Sequence, residues 1–249
     1  MDTFKNLKTM NYHKIILITL LIFRTIIVNA QDVSIAGGGT LMDWANLKLY
    51  EQKNEELKKI NDPERIVFMG NSITQDWIHF RKDFFIDNPF VNRGIGGQTT
   101  PQMLIRFKPD VVNLNPRAVV IMAGINDIAQ NTGPISINNI AENIISMIEI
   151  ANAYNIKVFI CSTLPAIDFP WSPGLNPGPK VIELNSILKT YCYKNNITYV
   201  DYFKLMADEN GGLKVPDFTS ADDLVHPNIN GYKVMERLVL ESIKKELKR

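Results

Sequence analysis

Histidine, cysteine and charge of one sign are all scarce in this chain, and each shortage narrows what the protein can do. There are three histidines and two cysteines in 249 residues. His13 sits in an N-terminal apolar segment, so a processed chain keeps only His79 and His226. Neither Cys161 nor Cys192 has a histidine close in sequence, which argues against a thiol nucleophile and against a Cys/His metal site. The formal net charge is +1. Residues 1–30 hold four basic residues (Lys5, Lys8, Lys14, Arg24) and one acidic residue, Asp2. Taken from totals of 27 and 26, these leave 23 basic against 25 acidic, or −2. No basic field remains for nucleic acid or an anionic membrane surface. Internal repeats and low-complexity segments are absent, and the N-terminal apolar run, residues 15–23, is short for a membrane span.

That run has the features of a secretory signal. Three lysines precede it and the small-residue end Val28-Asn29-Ala30 follows it. The expectation is a signal over residues 1–30, cleaved after Ala30, and a single domain over residues 31–249. The mature protein would be secreted or periplasmic, with no stable membrane insertion; an uncleaved anchor is the alternative. In an exported protein the two cysteines could pair. The preferred expectation is two buried small hydrophobes.

Downstream, apolar β runs alternate with helical spacing. Strands are expected at 65–69, 90–91, 118–122, 157–161 and 197–200. Helices are expected at 41–60, 76–85, 99–112, 137–154, 179–194 and 229–247. Short buried strands separated by helices imply a parallel sheet covered on both faces. In such sheets ligands sit beyond the carboxyl ends of the strands. The polar and glycine-rich segments fall there, as does the Pro/Trp-rich stretch 165–179 with Phe169 and Trp171. Those two aromatics could stack on a sugar or pack on the domain itself; packing is the preferred expectation.

Four of these segments carry candidate chemistry. Ser72 follows the first strand and opens a helix; it suits a nucleophile, although from this segment alone a helix N-cap is the preferred expectation. Gly94, Gly96 and Gly97 precede Gln98-Thr99-Thr100. They can bring backbone N–H groups close to an oxyanion, or simply make a tight turn. No Lys-Ser/Thr follows them and their spacing is not a dinucleotide fingerprint, so they read neither as a phosphate loop nor as a dinucleotide site. Asn126, two residues after Gly124, can donate to an oxyanion or cap the next helix, while Asp127 suits a brace. Near the end lie Asp223 and His226: a carboxylate three residues before a histidine can bond its Nδ1–H and fix its tautomer. Asp222 is the other carboxylate within reach. His79, among charged neighbours, is expected to be solvated.

Taken together, Gly70-Asn71-Ser72-Ile73, Gly94-x-Gly96-Gly97, Gly124-x-Asn126-Asp127 and Asp223-x-x-His226-Pro227 resemble the GDSL/SGNH hydrolase family. The stretch from Asn92 to Thr100 resembles its platelet-activating-factor-acetylhydrolase-like esterases. The resemblance implies a three-layer α/β/α flavodoxin-like fold with a five-stranded parallel sheet. It implies Ser72 as nucleophile, His226 as base and Asp223 as its orienting partner. It implies Ser72 N–H, Gly97 N–H and the Asn126 amide as oxyanion donors, with no metal or cofactor. Asn71 stands where the family usually has Asp and Gln98 where Asp is common. With Trp171, these are the candidate substrate contacts. The function expected is hydrolysis of short acyl, chiefly acetyl, esters of carbohydrates. A lysophospholipase or short-chain lipid esterase is the alternative, and a catalytically silent carbohydrate-binding module the alternative of another class.

Overall fold

A computed structural model describes residues 35–247, so the expected signal segment and its expected cleavage site lie outside the described residues. Five strands form one parallel sheet: β1 (Ile66–Gly70), β2 (Phe90–Gly94), β3 (Ala118–Met122), β4 (Lys157–Cys161) and β5 (Thr198–Val200). Their order is β2-β1-β3-β4-β5. Every residue of β1 and β3 is buried, as central strands covered on both faces require. The chain runs outward from β1 to β2 and then returns to place β3 on the other side of β1. The carboxyl ends of β1 and β3 therefore flank the switch point where doubly wound sheets hold ligands.

The connecting helices are α1 (Glu51–Lys58), α2 (Ser72–Phe80), α3 (Lys82–Ile86), α4 (Thr100–Asp110), α5 (Ile125–Ile128), α6 (Ile137–Ala153), α7 (Pro177–Lys194), α8 (Phe203–Met206) and α9 (Ile229–Leu247). α6 packs between α4 and α7, while α9 packs on α2. Under α2 and α3 the core is aromatic. Phe68 meets Trp77, Phe84 and Phe85 edge-on at centroid separations of 5.5–5.7 Å. Such pairs contribute about 1 kcal/mol each beyond burial.

The expected helix over 41–60 is not formed as such. A 3-10 turn (Leu47–Leu49) and the short α1 replace it. Asn46 takes a left-handed φ of 53°, which interrupts helical hydrogen bonding. Carbonyls upstream are held by side chains: Gln102 donates to Ala36 and Trp44, and Gln98 to Ala45. Of the apolar residues expected on one helical face, Leu41 and Ile60 are more than half exposed. The expected helix over 76–85 is two helices, α2 and α3, broken at Arg81, whose φ/ψ of −140°/60° leaves the helical region.

Candidate active site

Ser72 is the first residue of α2, yet it does not cap that helix. Asn71 does: its side chain accepts the Ile73 N–H at 3.1 Å. The Ser72 hydroxyl is left for another partner, and Nε2 of His226 lies 2.9 Å from its Oγ. On the other side of the ring, Nδ1 of His226 is 2.8 and 3.0 Å from the two carboxylate oxygens of Asp223. Asp223 Oδ1 also accepts the backbone N–H of Val225 and of His226, at 3.1 and 2.8 Å. The carboxylate is thus fixed from three directions and holds the imidazole with Nδ1 protonated and Nε2 toward Ser72. Closing this turn puts Leu224 at a φ of 64°. Left-handed backbone is strained for a non-glycine residue, as is common where a loop must present a side chain.

The serine and histidine come from α2 and from the loop before α9, and the packing of these two helices sets their separation. The Tyr232 hydroxyl donates to the Ile73 carbonyl at 2.9 Å. Glu236 accepts from Arg81 Nε at 2.9 Å and from Trp77 Nε1 at 3.2 Å. The Thr219 hydroxyl pins the His226 carbonyl at 2.8 Å.

The glycine loop after β2 passes beside the serine. A Cβ built on Gly96 would stand 3.7 Å from Ser72 Cβ. Gly97 has a left-handed φ of 76°, and a Cβ there would come within 3.0 Å of the Gly37 backbone, so both conformation and space favour glycine. Neither Ser72 N–H nor Gly97 N–H donates to another backbone group among the described residues outside the regular helices and strands. The Gly97 and Gln98 carbonyls are held by the amides of Asn131 and Asn126, at 3.1 and 3.0 Å. Asn126 spends one amide hydrogen on Gln98 and keeps a second. Asp127 braces the neighbouring helix, accepting the Thr100 N–H at 2.9 Å and its hydroxyl at 2.6 Å. Burial pushes the Asp127 carboxyl up to about 6, against those hydrogen bonds.

Two of the expected substrate contacts, Asn71 and Gln98, lie buried. Asn71 is buried and serves as the helix cap. Gln98 is buried too; its amide donates to Ala45 and its oxygen accepts from Arg106. Both polar ends of Gln98 are consumed inside the fold, and the Asn71 side-chain oxygen is taken by the cap. Phe169 is fully buried, whereas Trp171 is 46% exposed. The Trp171 indole lies 6.1 Å from the His226 ring, backed by Phe169 at 5.2 Å and donating to Asn131 at 3.3 Å. It walls a basin of about 360 Å³ with Pro170, Ser220, Asp222, Asp223 and His226. Asp222 faces this basin without a recorded bond to His226. Both cysteines are buried and unpaired. Burial pushes each thiol up to about 12, so neither is a thiolate at neutral pH.

Arg106 is a residue of the site that motif reasoning misses. Fully buried, it donates to the Gly70 carbonyl at 2.9 Å, the Arg93 carbonyl at 2.9 Å and Asp110 at 3.0 Å, and it also binds Gln98. One guanidinium thus ties the end of β1 to the loop after β2. Its sequence signal is Arg106 four residues before Asp110 on the apolar face of α4, beside Met103 and Phe107.

A serine, an imidazole and a carboxylate bonded in series at the carboxyl edge of a doubly wound sheet are the equipment of an α/β ester hydrolase. Within that class the chain belongs to the GDSL-like Lipase/Acylhydrolase family, whose profile matches residues 68–234. A candidate acylhydrolase from Bacteroides fragilis NCTC 9343 is 47% identical, with a TM-score of 0.78, over 82% of this chain and 99% of that one. The fold is shared with the acetyl xylan esterase AlAXEase at 21% identity and a TM-score of 0.57, over 72% of this chain and 99% of that one. The lipoprotein YqeF of Bacillus subtilis (strain 168) is 33% identical over 98 residues, 38% of this chain. That match spans only 40% of YqeF's length. No helix among the described residues is long and apolar enough to cross a membrane.

Proposed function

We propose that the chain hydrolyses short-chain oxygen esters, acetyl foremost, carried on carbohydrates, and that it works outside the cytoplasm after loss of residues 1–30. The observation that carries the reading is the unbroken hydrogen-bonded series Ser72–His226–Asp223, at 2.9 and 2.8 Å. In the proposed reaction Ser72 Oγ attacks the ester carbonyl carbon while Nε2 of His226 takes its proton. The negative charge passes to the carbonyl oxygen, where Ser72 N–H, Gly97 N–H and the free amide hydrogen of Asn126 receive it. The carbon–oxygen bond to the alcohol then breaks and His226 returns the proton to that alcohol. Water attacks the acyl-serine by the same proton route and releases the acid.

The acetyl assignment draws support from the acetyl xylan esterase that shares the fold. Trp171 is the proposed platform for the sugar, since its exposed face borders the basin. Acetate release from acetylated xylo-oligosaccharides, set beside fatty-acid release from lysophosphatidylcholine, tests the substrate class. The account expects the first to dominate; faster release of the fatty acid would move the chain to lipids.

A further inference from the structure

The short helix α5 carries Asn126, and the turn that ends it carries a second asparagine, Asn131. Gln130 takes a left-handed φ of 61° and turns the chain back. The Asn131 N–H then donates to the Asn126 carbonyl at 3.0 Å. The two asparagines are thus tied to each other through the backbone, and both side chains reach the glycine loop. Asn126 holds the Gln98 carbonyl and Asn131 the Gly97 carbonyl, at 3.0 and 3.1 Å.

Asn131 uses both ends of its half-buried amide. Its nitrogen donates to Gly97, while its oxygen accepts the Trp171 indole N–H at 3.3 Å. A carbonyl only accepts and an indole nitrogen only donates, so these two partners admit a single orientation of the amide. Each partner belongs to the candidate site. Gly97 offers a proposed oxyanion donor, and a glycine leaves its backbone loose unless something outside holds it. A bond on its carbonyl restrains the direction of its N–H. Such a donor stabilises developing charge only when it is held in place beforehand. Trp171 stands 6.1 Å from the His226 ring with Phe169 behind it, and the bond to Asn131 is the polar anchor of its indole.

We propose that Asn131 is a positioning residue for ester hydrolysis. One amide aims the Gly97 N–H at the oxyanion and seats the Trp171 indole beside His226, so the wall of the basin and the oxyanion site share a support. The proposal rests on the esterase reading.

Two variants separate the two bonds. Asn131→Asp keeps an acceptor for Trp171 and turns an oxygen against the Gly97 carbonyl. Asn131→Ala loses both bonds but leaves room for water at Gly97. On p-nitrophenyl acetate, kcat is expected to fall about tenfold in Asn131→Ala and about fiftyfold in Asn131→Asp, where the two oxygens repel. On acetylated xylo-oligosaccharide KM is expected to run the other way, rising about threefold in Asn131→Ala and staying at the wild-type value in Asn131→Asp. A merely structural role predicts the reverse order in kcat, because Asp preserves the shape of the side chain and Ala does not. Phenylboronate, whose tetrahedral adduct on a serine mimics the intermediate, is expected to bind each variant more weakly by the factor that kcat loses. Thr132→Ala controls for a loosened loop: it removes the neighbouring bond between the Thr132 and Thr99 hydroxyls, 3.0 Å apart, and kcat is expected to stay at the wild-type value. Wild-type kcat in both Asn131 variants, a larger loss in Ala than in Asp, or an equal loss in Thr132→Ala overturns the proposal and leaves the esterase reading standing. An unchanged KM in Asn131→Ala overturns the tie to Trp171. No hydrolysis of either ester by the wild-type protein overturns both readings.

Discussion

The Ser72 hydroxyl is not engaged in capping α2 because Asn71 takes the work that a serine at a helix start would otherwise do. The division of labour at residue scale yields two tests. Asn126→Ala removes one proposed oxyanion donor and also releases the Gln98 carbonyl, so kcat on an acetyl ester is expected to fall on the order of 10²-fold. Activity near wild type would remove Asn126 from the oxyanion site. Asp223→Asn keeps the shape but loses the charge that orients His226; kcat is expected to fall on the order of 10³-fold or more, with KM little changed. A fall in KM-dependent binding alone would make Asp223 a loop brace. Asp127 gives a test in stability. Its folded-state carboxyl titrates near 6, against 3.8 for the free group. Between those values the folded chain binds more protons than the unfolded one, so this group's contribution falls as pH rises through the window. Asp127→Asn is expected to flatten that slope in denaturant midpoints measured from pH 4 to 7.

The elements that carry the site were legible to different degrees. The five strands and the helices 99–112, 137–154, 179–194 and 229–247 follow from period and punctuation, because their apolar faces are buried against one core. The segment 41–60 misled because its apolar residues have helical spacing while Gln98 and Gln102, far away in sequence, claim its backbone carbonyls. Long-range polar capping leaves no local periodicity to read. The same reason hid the burial of Asn71 and Gln98 and the bridging role of Arg106. The α2–α9 contact was equally invisible, though it sets the Ser72–His226 distance. Tyr232→Phe is expected to cost about 1 kcal/mol by removing the hydroxyl's bond to the Ile73 carbonyl. It should also lower kcat more than it raises KM; an unchanged kcat would show that the contact does not tune the site.

For the whole molecule, the doubly wound sheet explains why four segments far apart in sequence meet: each follows a strand or a turn at the same edge. Family membership fixes the broad chemistry, acyl-ester hydrolysis. The proposed export belongs to this scale as well. N-terminal sequencing of protein recovered outside the cytoplasm is expected to begin at Gln31, and an intact Met1 would contradict the proposed cleavage. The central claim is that Ser72 hydrolyses short acyl esters, and hydrolysis of p-nitrophenyl esters from acetate to decanoate, wild type beside Ser72→Ala, tests it most directly. The account predicts rates that fall beyond acetate and vanish in Ser72→Ala; undiminished hydrolysis in that variant, or a preference for decanoate, would contradict it.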